Sequence, residues 1–240
     1  MADEKVILED GRVIREDIKY TGVRKAIGNT FVECASNKPM TSSYVRCDMG
    51  AIIEYRKKLK AEGHKVSMTA IFMKIAQTAL EKCPVANSEL DGNRIHVFEN
   101  KNIAIAIAGP NDLLYTPVVR NVEKKNVLEV DEELNALIEK VQNGTLGFED
   151  MSGATFTVSN LGNSDVCFTT QLFGPGSCIL GIGATRQEFV PDENGNPVLR
   201  PLGYLTITVD HRVILGSHAT AFYRALIEAC QDPAGSLGLE

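Results

Sequence analysis

His211 is the side chain in this sequence best placed to move a proton. It stands in Thr208-Val209-Asp210-His211-Arg212-Val213-Ile214-Leu215-Gly216, where an alternating apolar stretch predicts a strand ending at the histidine, and a glycine then leads into a helix. A strand end holds a side chain rigidly while the following loop leaves it reachable. A neutral imidazole held in that way takes a proton from a thiol or a hydroxyl near neutral pH. The alternative, a histidine beside a strand with no chemical role, stays open on these residues alone.

Other residue types bound the chemistry. The 6 cysteines lie scattered, without a Cys-x-x-Cys pair or a histidine at ligand spacing, so they read as reduced, mostly buried residues and no metal site is expected. Gly181-Ile182-Gly183 lacks the third glycine and later acidic residue of a dinucleotide fold. Arg56, Lys57, Lys58, Lys60, His64 and Lys65 form a basic cluster that reads first as a solvated helix face. His218 is expected to cap or pack within the last helix, and Asn160 to make turn contacts at a strand exit.

The elements that must position His211 follow from periodicity. Helices are predicted over residues 21–35, over 48–62 with Asp48 as cap, and from Ser67 as cap to Cys83; Pro84 stops the third. Val23, Ile27, Phe31 and Cys34 give the first helix an apolar face. Strands are predicted at 94–98, 102–108 and 114–120, then a helix at 129–142 closed by Asn143-Gly144. Strands at 155–159 and 178–184 precede a hairpin around Asn194-Gly195 that leads through Leu199 to Val209, and a helix closes the chain at 217–230. Helices before and between strands, without strict alternation, predict an α/β two-layer domain, a mixed sheet with helices on one side.

Beyond residue types, Asp210-His211-Arg212-Val213-Ile214-x-Gly216 resembles the Asp-His-Arg-x-x-Asp-Gly signature of the dihydrolipoamide acyltransferase catalytic domain of 2-oxo acid dehydrogenase complexes. Thr155-Phe156-Thr157-Val158-Ser159-Asn160-Leu161-Gly162 and Ile179-Leu180-Gly181-Ile182-Gly183 are similar to two further blocks of that family. Arg24-Lys25-Ala26-Ile27, Asn102 to Ala106 and Gln231-Asp232-Pro233 fall in family order, so the resemblance covers about residues 20–235. It implies the chloramphenicol-acetyltransferase-like fold, a homotrimer with active sites between subunits, a larger cubic assembly as a second level, and a lipoyl-bearing partner. The reaction implied is acyl transfer between coenzyme A and a thiol, with His211 as base and Ser159 stabilising the oxyanion. Ser159 taken alone reads as a serine hydrogen-bonded at a strand end. If the reaction is the implied one, the basic cluster, and in it Lys57, Lys58 and Lys65, offers candidates for the coenzyme A phosphates, and Asn160 and Gly216 are supporting residues.

Three departures qualify the match. Leu215 stands where the signature has an aspartate that in the family pairs with an arginine at the position of Arg24. A buried guanidinium without a partner would cost about 3–5 kcal/mol, so Arg24 is expected to be solvated, paired elsewhere or facing a ligand. Asp210 is expected to point to the other face of the strand. The segment 168–176 differs from the family pattern, which favours a small acceptor in place of lipoyl. No lipoyl domain is expected on this chain, read as an extension over 1–19, a catalytic domain over 20–235 and a tail over 236–240. A second reading follows from Leu215: a weakened or inactive trimeric scaffold that binds acyl-CoA.

Bulk properties exclude other classes. A net charge of −6 argues against nucleic-acid binding. With 44% hydrophobic residues but no long apolar run or signal-like start, a cytoplasmic protein without a membrane span is expected.

Overall fold

A computed structural model describes residues 6–110, 113–167 and 174–238. In chain order the elements are α1 (Gly22–Asn37), β1 (Met40–Asp48), α2 (Gly50–Ala61), α3 (Met68–Lys82), β2 (Ser88–Asp91), β3 (Arg94–Val97), β4 (Ile103–Ile105), β5 (Ile107–Ala108), β6 (Leu114–Tyr115) and β7 (Val118–Val119). There follow α4 (Val127–Gln142), β8 (Phe156–Asn160), β9 (Cys178–Pro191), β10 (Pro197–Asp210), α5 (Gly216–Gln231) and α6 (Pro233–Leu237).

The main sheet runs β1-β10-β9-β8-β4-β7. It is mixed, because β8 pairs in parallel with both β4 and β9 while the remaining pairs are antiparallel. Alternate residues such as Phe156, Val158, Leu180, Leu205, Ile207 and Val209 enter one apolar core with the helices. Thr157, Thr206 and Thr208 take the intervening positions. Phe156 of β8 meets Phe222 of α5 with ring centroids 5.8 Å apart, which fixes helix on sheet. The α/β architecture with helices layered on a mixed sheet is the one the element pattern predicts.

α3 is the most buried helix and packs against α4, α5 and α6. Ser67 caps it by accepting from Ala70 N at 3.1 Å, as its position predicts. α4 starts at Val127, two residues before the predicted start, because Asn126 and Glu129 form a reciprocal capping box. Met49, not Asp48, is the N-cap of α2; Asp48 closes β1 and its Oδ1 accepts from Gly50 N at 2.8 Å. The predicted 102–108 strand divides into β4 in the main sheet and β5 in a separate ribbon with β6.

α1 departs from its prediction. Only Cys34 is buried, Ile27 and Phe31 are half-buried, and Val23 is exposed. Within a single chain the apolar stripe of α1 is therefore largely uncovered, as are Val6, Ile7, Val13, Ile18 and Tyr20 just before it.

Candidate active site

β10 delivers Asp210 and His211 at its C-terminal end. The ladder continues on both sides there: Asp210 N donates to Ser177 O at 2.8 Å, and His211 N to Pro39 O at 3.0 Å. The chain then turns sharply, with Val213 N and Ile214 N both donating to Asp210 O at 3.0 Å. Burial of Val213 and Ile214 locks that turn. The His211 ring stays exposed, and its Nδ1 lies 2.9 Å from Ile214 O. A carbonyl oxygen only accepts, so Nδ1 carries a hydrogen, and in a neutral imidazole of that tautomer the lone pair is on Nε2.

Asp210 serves Arg212 and not His211. Its carboxylate, 1% exposed, accepts from Arg212 N at 3.1 Å, Nε at 3.0 Å and Nη2 at 2.6 Å. Burial pushes this carboxyl up, but the hydrogen bonds from Arg212 outweigh it and hold Asp210 below the usual carboxylate range.

Leu215 is the N-cap residue of α5, in extended conformation (φ −85°, ψ 169°) and 52% exposed. A leucine side chain offers the free helix N–H groups no acceptor. Contact at this end comes instead from His218, whose Nδ1 accepts from Leu215 N at 3.4 Å. Nothing lies within 4 Å of a Cβ built on Gly216, so this chain's own packing does not demand a glycine there. Arg24 is exposed in the first turn of α1, so the cost of a buried guanidinium does not arise within the single chain.

Ser159 is half-buried near the C-terminal end of β8, in register with Gly181 of β9. Asn160 joins two elements: its Oδ1 accepts from Gly162 N at 2.9 Å, the expected turn contact, and its Nδ2 donates to Thr69 Oγ1 of α3 at 2.9 Å. Thr69 carries no sequence signal for that role. Gly183 makes room for the loop after Asn160, since a Cβ there would stand 1.6 Å from Cys167 O. That close approach accounts for one glycine of the Gly-Ile-Gly run.

The structure does not bring Ser159 and His211 together within one chain. Ser159 is level with Gly181, and Gly181 with Thr206, so His211 lies five residues farther along the strand direction and two strands across. At roughly 3.3 Å per residue and 4.8 Å per strand, that is about 19 Å. A base and an oxyanion donor acting on one carbonyl must each come within about 3 Å of the reacting atoms.

The basic cluster divides. Lys57 and Lys65, with Arg56 and Lys60, rim a cavity of about 280 Å³ floored by Ile53, Val66 and Met68. Lys58 is not in its lining; its ammonium sits 6.0 Å over the Tyr55 ring and 4.0 Å from Glu62. Residues 168–173 of the divergent segment lie outside the described residues. Its last part is held by Lys38, whose Nζ donates to Gly174 O, Pro175 O and Gly176 O at 2.7, 3.1 and 3.0 Å. Sequence reasoning passes over Lys38, because a lysine between a helix and a proline has no periodicity to mark it.

Comparison with known proteins places this arrangement. The chain is 32% identical, over 90% of its length, to the succinyltransferase component of the mitochondrial 2-oxoglutarate dehydrogenase complex of Saccharomyces cerevisiae. It spans about half the length of the curated relatives it matches, 48% in that case. Among solved structures, the Azotobacter vinelandii dihydrolipoamide acetyltransferase is 28% identical with a TM-score of 0.86, covering 92% of this chain and 93% of that one. That work concerned the catalytic role of a serine, a histidine and an asparagine. The first two have the same sequence separation as Ser159 and His211, and the asparagine has the same offset from the histidine as Leu215. The cubic core of a pyruvate dehydrogenase complex matches with the same identity, TM-score and coverage. Chloramphenicol acetyltransferase, 16% identical with a TM-score of 0.52 over 89% of this chain and 97% of that one, shares the fold. Residues 14–237 match the family described as 2-oxoacid dehydrogenases acyltransferase (catalytic domain). With that match spanning nearly all of the chain and the whole of its mixed sheet, the chain belongs to the 2-oxoacid dehydrogenase acyltransferase family.

Proposed function

We propose that this chain transfers an acyl group between coenzyme A and a thiol, at a site made by His211 of one copy and Ser159 of another. The thiol is a dihydrolipoyl group or a small free thiol. The exposed His211 carries this reading: its Nδ1 is committed to Ile214 O, which leaves Nε2 as the nitrogen to accept a proton. Nε2 takes the proton of the attacking thiol, whose free pKa is about 8.5. The thiolate adds to the thioester carbonyl, and Ser159 Oγ–H donates to the resulting oxyanion. Collapse expels the second thiolate, which takes the proton back from Nε2. One such oxyanion donor is worth about 3 kcal/mol of barrier.

A separation of about 19 Å within one chain supports a site shared between copies. The uncovered apolar stripe of α1 and the exposed Ile7, Val13, Ile18 and Tyr20 favour a subunit interface. The assembly we propose is a homotrimer, with a cubic cage as a further level, acting in the cytoplasm beside a lipoyl-bearing partner. Lys57 and Lys65, with Arg56 and Lys60, are proposed to meet the coenzyme A phosphates.

The test mixes two variants. His211→Ala and Ser159→Ala, each assayed for release of coenzyme A thiol from acetyl- or succinyl-CoA with dihydrolipoamide, are each expected to lose most turnover. Unfolding and refolding them together forms some sites with both native residues, and random assembly restores about a quarter of parental turnover. Full assembly without recovery would refute the shared site. Leu215 favours the second reading, a scaffold that binds acyl-CoA; assembled parent protein that binds acyl-CoA but turns over no acceptor would establish it.

A further inference from the structure

Lys38 ties together the two backbone segments that hold His211. Its three N–H donors meet three successive carbonyls, those of Gly174, Pro175 and Gly176, so its hydrogen-bonding capacity is filled. The next residue of that segment, Ser177, accepts from Asp210 N, and the residue after Lys38, Pro39, accepts from His211 N. Each backbone partner of the Asp210-His211 corner is thus one residue from the lysine's grip. Side chains do little to shape the segment. Gly174 has φ +79°, a Cβ on Gly176 would stand 3.3 Å from Thr155 O, and Pro175 is exposed. The Cys34 thiol adds a longer contact to Gly174 O at 3.6 Å. Opposite charge for the half-buried ammonium comes from Asp210, itself bound to Arg212, and from Glu89.

We propose that Lys38 is a positioning residue for the reaction, seating the His211 turn by clamping residues 174–176 against the junction of α1 and β1. The other end of the turn leads into α5, whose N-cap side chain, Leu215, supplies no polar support. The catalytic part of this inference rests on the role proposed for His211; the clamp itself does not. Displacing a catalytic group by about 1 Å costs up to about 100-fold in rate.

Lys38→Met keeps an unbranched apolar stem, one heavy atom shorter, and removes all three donors. Two readouts are needed, amide hydrogen exchange of the assembled protein and steady-state acyl transfer. The expected result is faster exchange, by about tenfold or more, at Asp210 and His211, with amides of α3 unchanged. In parallel kcat falls about 10- to 100-fold while KM for acyl-CoA stays within about twofold. Lys38→Arg, which keeps a cation but presents a planar fork, is expected to fall between. Parental exchange at Asp210 and His211 in Lys38→Met would overturn the clamp, and a kcat within about twofold of the parent would overturn the positioning role. If the parent turns over no acceptor, the acyl-transfer reading fails separately, and exchange at Asp210 and His211 still decides whether Lys38 holds the turn.

Discussion

Replacing Leu215 by aspartate asks how well the His211 turn is supported. In the structure this residue is the N-cap of α5, extended and 52% exposed. A carboxylate there accepts from the first-turn N–H groups, worth about 1 kcal/mol, and its charge at the helix N-terminus adds about 0.5 kcal/mol. Against this, removing a half-buried leucine gives up about 1 kcal/mol of apolar burial. The net gain of about 0.5 kcal/mol moves Tm by only about 1–2 °C in a chain of this size. A large change in turnover would therefore report the local hold on His211 and not global stability. The expected result for Leu215→Asp, and for Leu215→Asn, is a rise in thiol release of about tenfold with Tm nearly constant. Leu215→Ala is the control, losing about 1 kcal/mol without gaining a cap. Unchanged or lower turnover in the aspartate variant would refute the reasoning, as would an equal rise in the alanine variant, which would point to the bulk of the leucine.

Four further perturbations follow from contacts in the structure. Asp210→Asn removes the charge that binds Arg212; because that arginine is partly exposed, the loss is about 1–2 kcal/mol at pH 7 in urea unfolding. The folded Asp210 carboxyl lies below its ordinary value, so its stabilisation is present above about pH 4 and lost as pH falls through the folded value. The difference between parent and variant should therefore shrink below about pH 4. Asn126→Ala removes the acceptor of Leu128 N and Glu129 N and should cost about 1 kcal/mol, read as a lower urea midpoint with an unchanged slope. Gly183→Ala drives a Cβ into Cys167 O and should destabilise by about 3 kcal/mol or displace the 161–167 loop, seen as lost amide protection at Ala184, which donates to Val166 O. Lys65→Ala should raise KM for coenzyme A several-fold with kcat nearly unchanged; an unmoved KM would return the basic rim to a solvated face.

Much of this protein was legible in the order of its residues. Helices α4 and α5 carry apolar residues at helical spacing because each buries one face, α3 is apolar nearly all round because its neighbours enclose it, and the strands of the last third alternate because one side of the sheet meets those helices. The strand-to-helix passage through His211 and the blocks around Ser159 and Gly181 were likewise visible as local strings, and the family match over residues 14–237 bears out the resemblance they carried. Tertiary structure alone decided the rest. β1 has a mostly exposed, polar sequence and is a strand because β10 offers it a ladder of backbone partners. Leu215 became interpretable as a helix cap, and Asp210 as the anchor of Arg212, only once the turn was in three dimensions. The grip of Lys38 on three carbonyls and the wide separation of Ser159 from His211 depend on which strands lie side by side. Periodicity records the face an element buries, whereas pairing partners and carbonyl cradles come from residues far apart in the chain, and only the folded sheet brings them into register.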